Sequence, residues 1–270
     1  MSTPTIDTPP AKVPLSAARR MTLTIGIIPV AVLVVIGAFL VTGFSVTNQP
    51  FDYASTVPAS SGTVVVKSDN ASLNFTPSGD NAVHVSVHGS YSGHRPGVSA
   101  SRQGNQVMVY VECRSGWRQQ CRIDVSVSVP SKQPITVHDT NGSVTAQNLA
   151  GDLELGSTNG SINVAASTGP ITMTTSNGSI DANQLTSQTV DAKSSNGAIS
   201  IAFATPPQTV NASTSNGSID IHAPITGGAS YYAQVSSTRG AVLLGDGFSD
   251  RFATRTINAT TSNGRIEIGP

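Results

Sequence analysis

Residues 141–182 read NGSVTAQNLAGDLELGSTNGSINVAASTGPITMTTSNGSIDA. Glycine recurs at 142, 151, 160, 169 and 178, and the second and fourth residues after each are apolar: Val144/Ala146, Leu153/Leu155, Ile162/Val164, Ile171/Met173 and Ile180/Ala182. A polar residue (Thr145, Glu154, Asn163, Thr172 or Asp181) separates the members of each pair. Alternation with period two is the signature of a strand with one face in a core and one in water. Identical nonapeptides in phase are better explained by a coil that stacks each strand on its equivalent than by independent hairpins. The Asn-Gly pairs are expected to supply positive-φ corners.

The phase returns at Gly197, Gly217, Gly240 and Gly264, each leading another apolar pair. Between them the register runs through degenerate units led by Gln188, Gln208, Tyr231 and Arg255. With strands of about 5 residues, two units close a coil of about 18 residues. Entry into the Asn-Gly or Arg-Gly corner always takes nine residues, whereas the opposite corner grows through ten, eleven and fourteen to fifteen. One edge of the coil is uniform and the other is elaborated. Gly62, Ala71 and Asn81 lead similar pairs, so the expected fold class is an all-β β-solenoid over residues 57–270, interrupted near residues 88–122.

Charged residues make up 11 % of the chain and aromatics 5 %, a composition that suits thin strands and tight corners better than a helix-rich enzyme core. Net charge is zero, but residues 91–132 hold six Lys/Arg against Glu112 and Asp124, while residues 135–238 set Lys193 alone against six acids.

Residues 22–46 carry no charge and are long enough, at about 1.5 Å per residue, to cross a hydrocarbon layer of about 30 Å. They are expected to form a single N-terminal transmembrane helix, preceded by a disordered cytoplasmic tail (1–21) and followed by a stalk (47–56). Lys12, Arg19 and Arg20 precede the segment and no basic residue follows until Lys67, which places the N-terminus in the cytoplasm and the rest outside. A cleaved signal peptide is the competing reading, and the length of the apolar stretch speaks against it.

Cys113 and Cys121 are the two cysteines, placed at the ends of two alternating runs across RSGWRQQ. Outside the cytoplasm they are expected to form a disulfide stapling a hairpin around 105–129, stabilising it by about 2 kcal/mol. They lack the C-x-x-C spacing of a redox or metal pair.

The order of an apolar segment, a strand-rich section closing on Val129-Pro130, then Val137-x-x-Thr140-Asn141-Gly142-Ser143-Val144 and recurring Ser-Asn-Gly-x-Ile units resembles the bacterial β-strand repeat family labelled putative adhesin, common in actinobacteria. The resemblance spans residues 57–270. It implies a surface-located β-helical domain and brings no catalytic residues with it.

No G-x-S-x-G elbow, P-loop, H-E-x-x-H or C-x-x-C is present, so no enzymatic activity, cofactor or metal is expected. His84 and His88 read as solvated strand residues, and the strand acids lack the G-G-x-G-x-D clustering of a calcium β-roll. Two surfaces are candidates for binding. In the first, Trp117 between Arg114 and Arg118 could grip an anionic glycopolymer or headgroup by charge and stacking. The second is the elaborated edge with Phe203, His222, Tyr231, Tyr232, Phe248, Arg251 and Phe252, whose alternative role is to cap the open end of the stack. The expected function is a membrane-anchored, adhesin-like cell-envelope module that engages wall glycopolymer or an envelope protein, with no nucleic-acid partner. An extracytoplasmic sensor signalling through the anchor and a polysaccharide-active β-helix enzyme are the alternatives.

Overall fold

The computed structural model describes residues 48–116 and 119–270. Eight strand pairs form the rungs of a stack, each pair bent about a polar corner. They are β2 (Val64–Ser68) with β3 (Ala71–Pro77), β8 (Ile135–Asp139) with β9 (Val144–Gln147), β10 (Leu153–Ser157) with β11 (Ile162–Ala165), and β12 (Ile171–Thr175) with β13 (Ile180–Leu185). Further along come β14 (Thr189–Ser194) with β15 (Ile199–Phe203), β16 (Thr209–Asn216) with β17 (Ile219–His222), β18 (Tyr231–Arg239) with β19 (Val242–Leu244), and β20 (Arg255–Asn263) with β21 (Ile266–Gly269). β6 (Gln106–Glu112) and β7 (Gln120–Val129) make a ninth rung, flanked by β1 (Gln49–Pro58), β4 (Ala82–Ser92) and β5 (Gly97–Gln103).

The strands build two sheets, one of eleven strands (β1-β4-β7-β3-β9-β11-β13-β15-β17-β21-β19) and one of ten (β18-β20-β16-β14-β12-β10-β8-β2-β6-β5). Rung-to-rung pairing is parallel and keeps like residues in columns: Ile180 stands between Ile162 and Ile199, and Ile199 beside Ile219. These columns are fully buried between the sheets. Each Ile, Val or Leu so removed from water contributes about 1.5–3 kcal/mol, which a one-residue slip would forfeit along a whole strand.

Chain order and stack order part company at both ends. β21 lies between β17 and β19, and β20 between β16 and β18, so the last rung in sequence is the last but one in space. The chain passes one rung beyond β16/β17 to lay down β18/β19, then returns to fill the gap. That detour is why the elaborated corner lengthens to fourteen and fifteen residues there. At the other end β2/β3 likewise sits inside β6/β7.

The corner glycines act differently from expectation. Among the described residues, positive φ at glycine is confined to Gly93, Gly104, Gly227, Gly228 and Gly247, none of them in an Asn-Gly pair. Left-handed backbone instead recurs at the opposite corner, at Asn148, Ala166 and Gln184, every 18 residues. Glycine is required in the Asn-Gly corners because successive coils touch: a Cβ on Gly178 would lie 2.1 Å from the carbonyl oxygen of Gly160, and one on Gly197 2.0 Å from that of Gly178.

Three further expectations are corrected. The fold is all-β in two sheets; among the described residues there is no helix and none long and apolar enough to cross a membrane, and the segment 22–46 lies outside them. Most of the expected stalk (47–56) lies in β1 (Gln49–Pro58), which pairs antiparallel with β4, itself antiparallel to β7. The disulfide Cys113–Cys121 is formed, with Cα atoms 5.6 Å apart. It joins no hairpin, because β6 and β7 belong to different sheets; it braces the corner of a rung.

Candidate functional site

At the disulfide corner Arg114 is exposed and pairs with the carboxylate of Glu112 two residues away. Trp117 and Arg118, the other members of that candidate set, lie outside the described residues. Arg122 is exposed on β7 nearby.

The elaborated edge divides into a cap and a rim. Tyr231 and Phe248 are fully buried, with ring centroids 5.0 Å apart and planes 7° from parallel. The Tyr231 hydroxyl donates to the Pro224 carbonyl at 2.9 Å, and burial pushes its pKa above the usual phenol range. Phe203 is buried at the end of β15. All three rings pack into the core, and Tyr231 and Phe248 close the interior of the terminal rung, which would otherwise lie open to water. Tyr232 is half-buried, His222 reaches the Asp220 carboxylate at 3.3 Å, and Arg251 and Phe252 are exposed, Phe252 at 97 %. Asp250 sets the loop: the N–H of Phe252 (2.9 Å) and the Ser230 hydroxyl (2.8 Å) donate to its carboxylate and hold its pKa below the usual range.

Elsewhere, His84 Nε2 lies 2.9 Å from Asp80 and His88 Nδ1 2.7 Å from Asp52, on exposed strand faces. Among the described residues no three His, Cys, Asp or Glu side chains are grouped to hold a metal.

The sequence reading missed an extended concavity. It lies on the outer face of the ten-stranded sheet, over β6, β2, β8, β10 and β12, where depressions of about 580, 400 and 350 Å³ adjoin through shared walls at His138, Thr140, Glu154 and Thr172. Pairing puts Tyr110, Lys67, His138, Gly156 and Thr174 in one row across these strands. Thr136, Glu154 and Thr172 stand in the next row. At 4.7–4.9 Å per strand the trough runs about 19 Å along the stack.

Its floor is open because Gly156 occupies an outward position, where the other strands of that row carry side chains such as Lys67, His138, Thr174 and Lys193. Tyr110, 40 % exposed, forms one wall, with the Lys67 ammonium 5.9 Å from its ring centroid. Thr136 donates to Glu154 at 3.3 Å. Donors and acceptors of both signs line the trough, with one aromatic ring among them. The signal was present in sequence as a glycine in the outward slot of Leu153-Glu154-Leu155-Gly156, but without the register nothing said which neighbours would border it.

The sequence profile of the Toastrack DUF4097 family matches residues 123–268. No curated protein matches the chain. Among solved structures, a putative adhesin from Bacteroides fragilis NCTC 9343 is similar at 13 % identity and a TM-score of 0.51, over 83 % of this chain and 97 % of the other, and shares the fold. A putative cell adhesion protein from Clostridium sporogenes ATCC 15579 is similar at 13 % identity, TM-score 0.39, over 82 % and 99 % of the two chains. A putative adhesin from Parabacteroides distasonis ATCC 8503 follows at 11 % identity, TM-score 0.37, over 81 % and 97 %. The expected actinobacterial affiliation finds no support in these matches.

Proposed function

The chain belongs to the Toastrack DUF4097 family, and from that premise we propose that its adhesin-like domain works outside the cytoplasm as a binding module for an extended glycan of the cell envelope. The observation that carries this reading is the trough over β6 to β12. A polyhydroxylated chain needs donors and acceptors spread along its length, a flat ring to lie against and no deep apolar pocket. Tyr110, His138, Glu154 and Thr172 supply these along a path of several sugar units. Mixed charge favours a neutral polymer over a strongly anionic one. The disulfide supports an oxidising location, since such bonds do not persist among cytoplasmic thiols.

The test is co-sedimentation of the chain with purified cell-wall polysaccharide, comparing wild type with Gly156→Leu, which fills the floor from the solvent side, and with Tyr110→Ala. Binding that falls at least about tenfold in both variants, a difference of about 1.4 kcal/mol, supports the reading. Equal binding by all three proteins removes the trough.

A further inference from the structure

The stack ends in two open edges. β18 closes the ten-stranded sheet and β19 the eleven-stranded one at the same end. The loop after β19 covers only the beginning of β18: Tyr231 N donates to Gly247 O at 2.9 Å, Ala233 N to Phe248 O at 3.0 Å, and Asp250 N to Tyr231 O at 3.1 Å. Among the described residues no strand lies beyond residues 234–239 or beyond β19.

β19 consists of Val242, Leu243 and Leu244, exposed at 40, 48 and 42 %. Of the six exposed large apolar side chains among the described residues, five (these three, Ile225 and Phe252) belong to the terminal rung or its adjoining loops; Tyr110 is the sixth. On its inner side the segment bonds β21 through Ile266 N to Ala241 O (2.9 Å) and Gly245 N to Ile268 O (2.8 Å). Alternate residues of a ladder face opposite ways, so Val242 and Leu244 turn their N–H and C=O groups outward.

Strand edges are ordinarily blunted by proline, charge or a cover. The far end of this stack follows that practice: edge strand β1 contains Pro50, Asp52 and Pro58, and edge strand β5 contains Arg102. β19 carries no such guard and β18 has Arg239 alone.

We propose that this end of the stack is an interface for a second copy of the chain, joined end to end about a two-fold axis perpendicular to the stack. Such an axis reverses the stack and opposes strand directions, so edge meets edge antiparallel and the outward groups of Val242 and Leu244 find partners. A two-fold contact also sets the Val-Leu-Leu surface against apolar surface. Arg239 is the one charge on the two edges, and the neighbouring loop carries both signs (Asp246, Asp250, Arg251), so identical faces meet without like-charge opposition.

Sedimentation equilibrium of the full chain over roughly 1 µM to 1 mM tests this. The expected result is a mass that rises with concentration and stops at two chains. Leu243→Lys, which places a charge in the contact, and Val242→Pro, which deletes an outward amide without touching the bonds to β21, each weaken association at least about tenfold. Circular dichroism should find both variants folded, and if one is not, the other decides. A wild-type chain that stays monomeric overturns the proposal and leaves the edge to a strand from a different protein. So does a dimer unmoved by a folded variant, and so does a series of masses beyond two, which would mean stacking on the far end.

Discussion

A Cβ placed on Gly160 would lie 1.6 Å from the carbonyl oxygen of Gly142, one coil earlier. The same collision awaits at Gly178, Gly197, Gly217 and Gly264, each against the glycine of the adjacent coil. Gly160→Ala must push two coils apart and is expected to cost about 3 kcal/mol, the upper part of the overpacking range. Gly79 has nothing within 4 Å of its would-be Cβ, and Gly79→Ala should change stability by less than about 0.5 kcal/mol. Urea midpoints of the two variants decide it.

Ala166 sits at φ 48° on the opposite corner, between Asn148 and Gln184 in the same conformation. A Cβ there meets the following carbonyl at a cost of about 1–2 kcal/mol, which glycine avoids and asparagine partly offsets. Ala166→Gly or Ala166→Asn should therefore raise the thermal midpoint, an uncommon outcome for a change inside an ordered repeat.

Beside the glycine column runs a ladder of amides. Asn177 Nδ2 donates to Asn159 Oδ1 and Asn196 Nδ2 to Asn177 Oδ1, both at 2.9 Å, and the chain of bonds extends from Asn70 through Asn141, Asn159, Asn177, Asn196 and Asn216 to Asn263. Asn177→Ala breaks two bonds and should cost about 1–2 kcal/mol. Asn177→Asp should cost more at neutral pH, since it turns an acceptor toward the Asn159 acceptor. Equal losses for the two in chemical denaturation would contradict the ladder's direction.

Three residues before each corner glycine stands a hydroxyl that donates to the glycine carbonyl of the neighbouring coil, as Thr175 to Gly160 and Thr214 to Gly197, each at 3.0 Å. Asp139 holds that place before Gly142, where its Oδ1 is buried without a partner. Burial raises its pKa, against the opposing effect of the Gly142 N–H donated to Oδ2. A carboxyl whose folded pKa is raised destabilises the fold where it must ionise. The penalty is complete above the folded pKa and disappears below the unfolded one. Asp139→Thr should thus add about 1 kcal/mol at pH 7, with the advantage shrinking as the pH falls toward 4. A gain independent of pH would remove ionisation as the cause.

Phe248 and Phe252 separate the cap from the rim. Phe248→Ala empties a fully buried ring site stacked on Tyr231 and should cost about 3–5 kcal/mol, whereas Phe252→Ala should leave the unfolding midpoint unchanged.

The sequence by itself determined the coil. Nine-residue spacing and period-two alternation dictate thin strands, and identical units in phase can bury their Ile and Val columns only by stacking, so local pattern and global register are one constraint. The disulfide was legible for the same reason, since both cysteines stand at the ends of alternating runs. What the glycines are for was not legible, because Asn-Gly looks the same whether the chain needs a left-handed corner or room for the next coil. Only the tertiary structure decided that β20/β21 lies inside β18/β19, that β6 and β7 part into different sheets, that Tyr231 and Phe248 pack inward, and that Gly156 opens a trough beside His138 and Thr174. Each of these depends on which rung lies beside which. Stack order is set where loops are long enough to pass a rung, and a repeat that makes every rung alike carries no local mark of its neighbour.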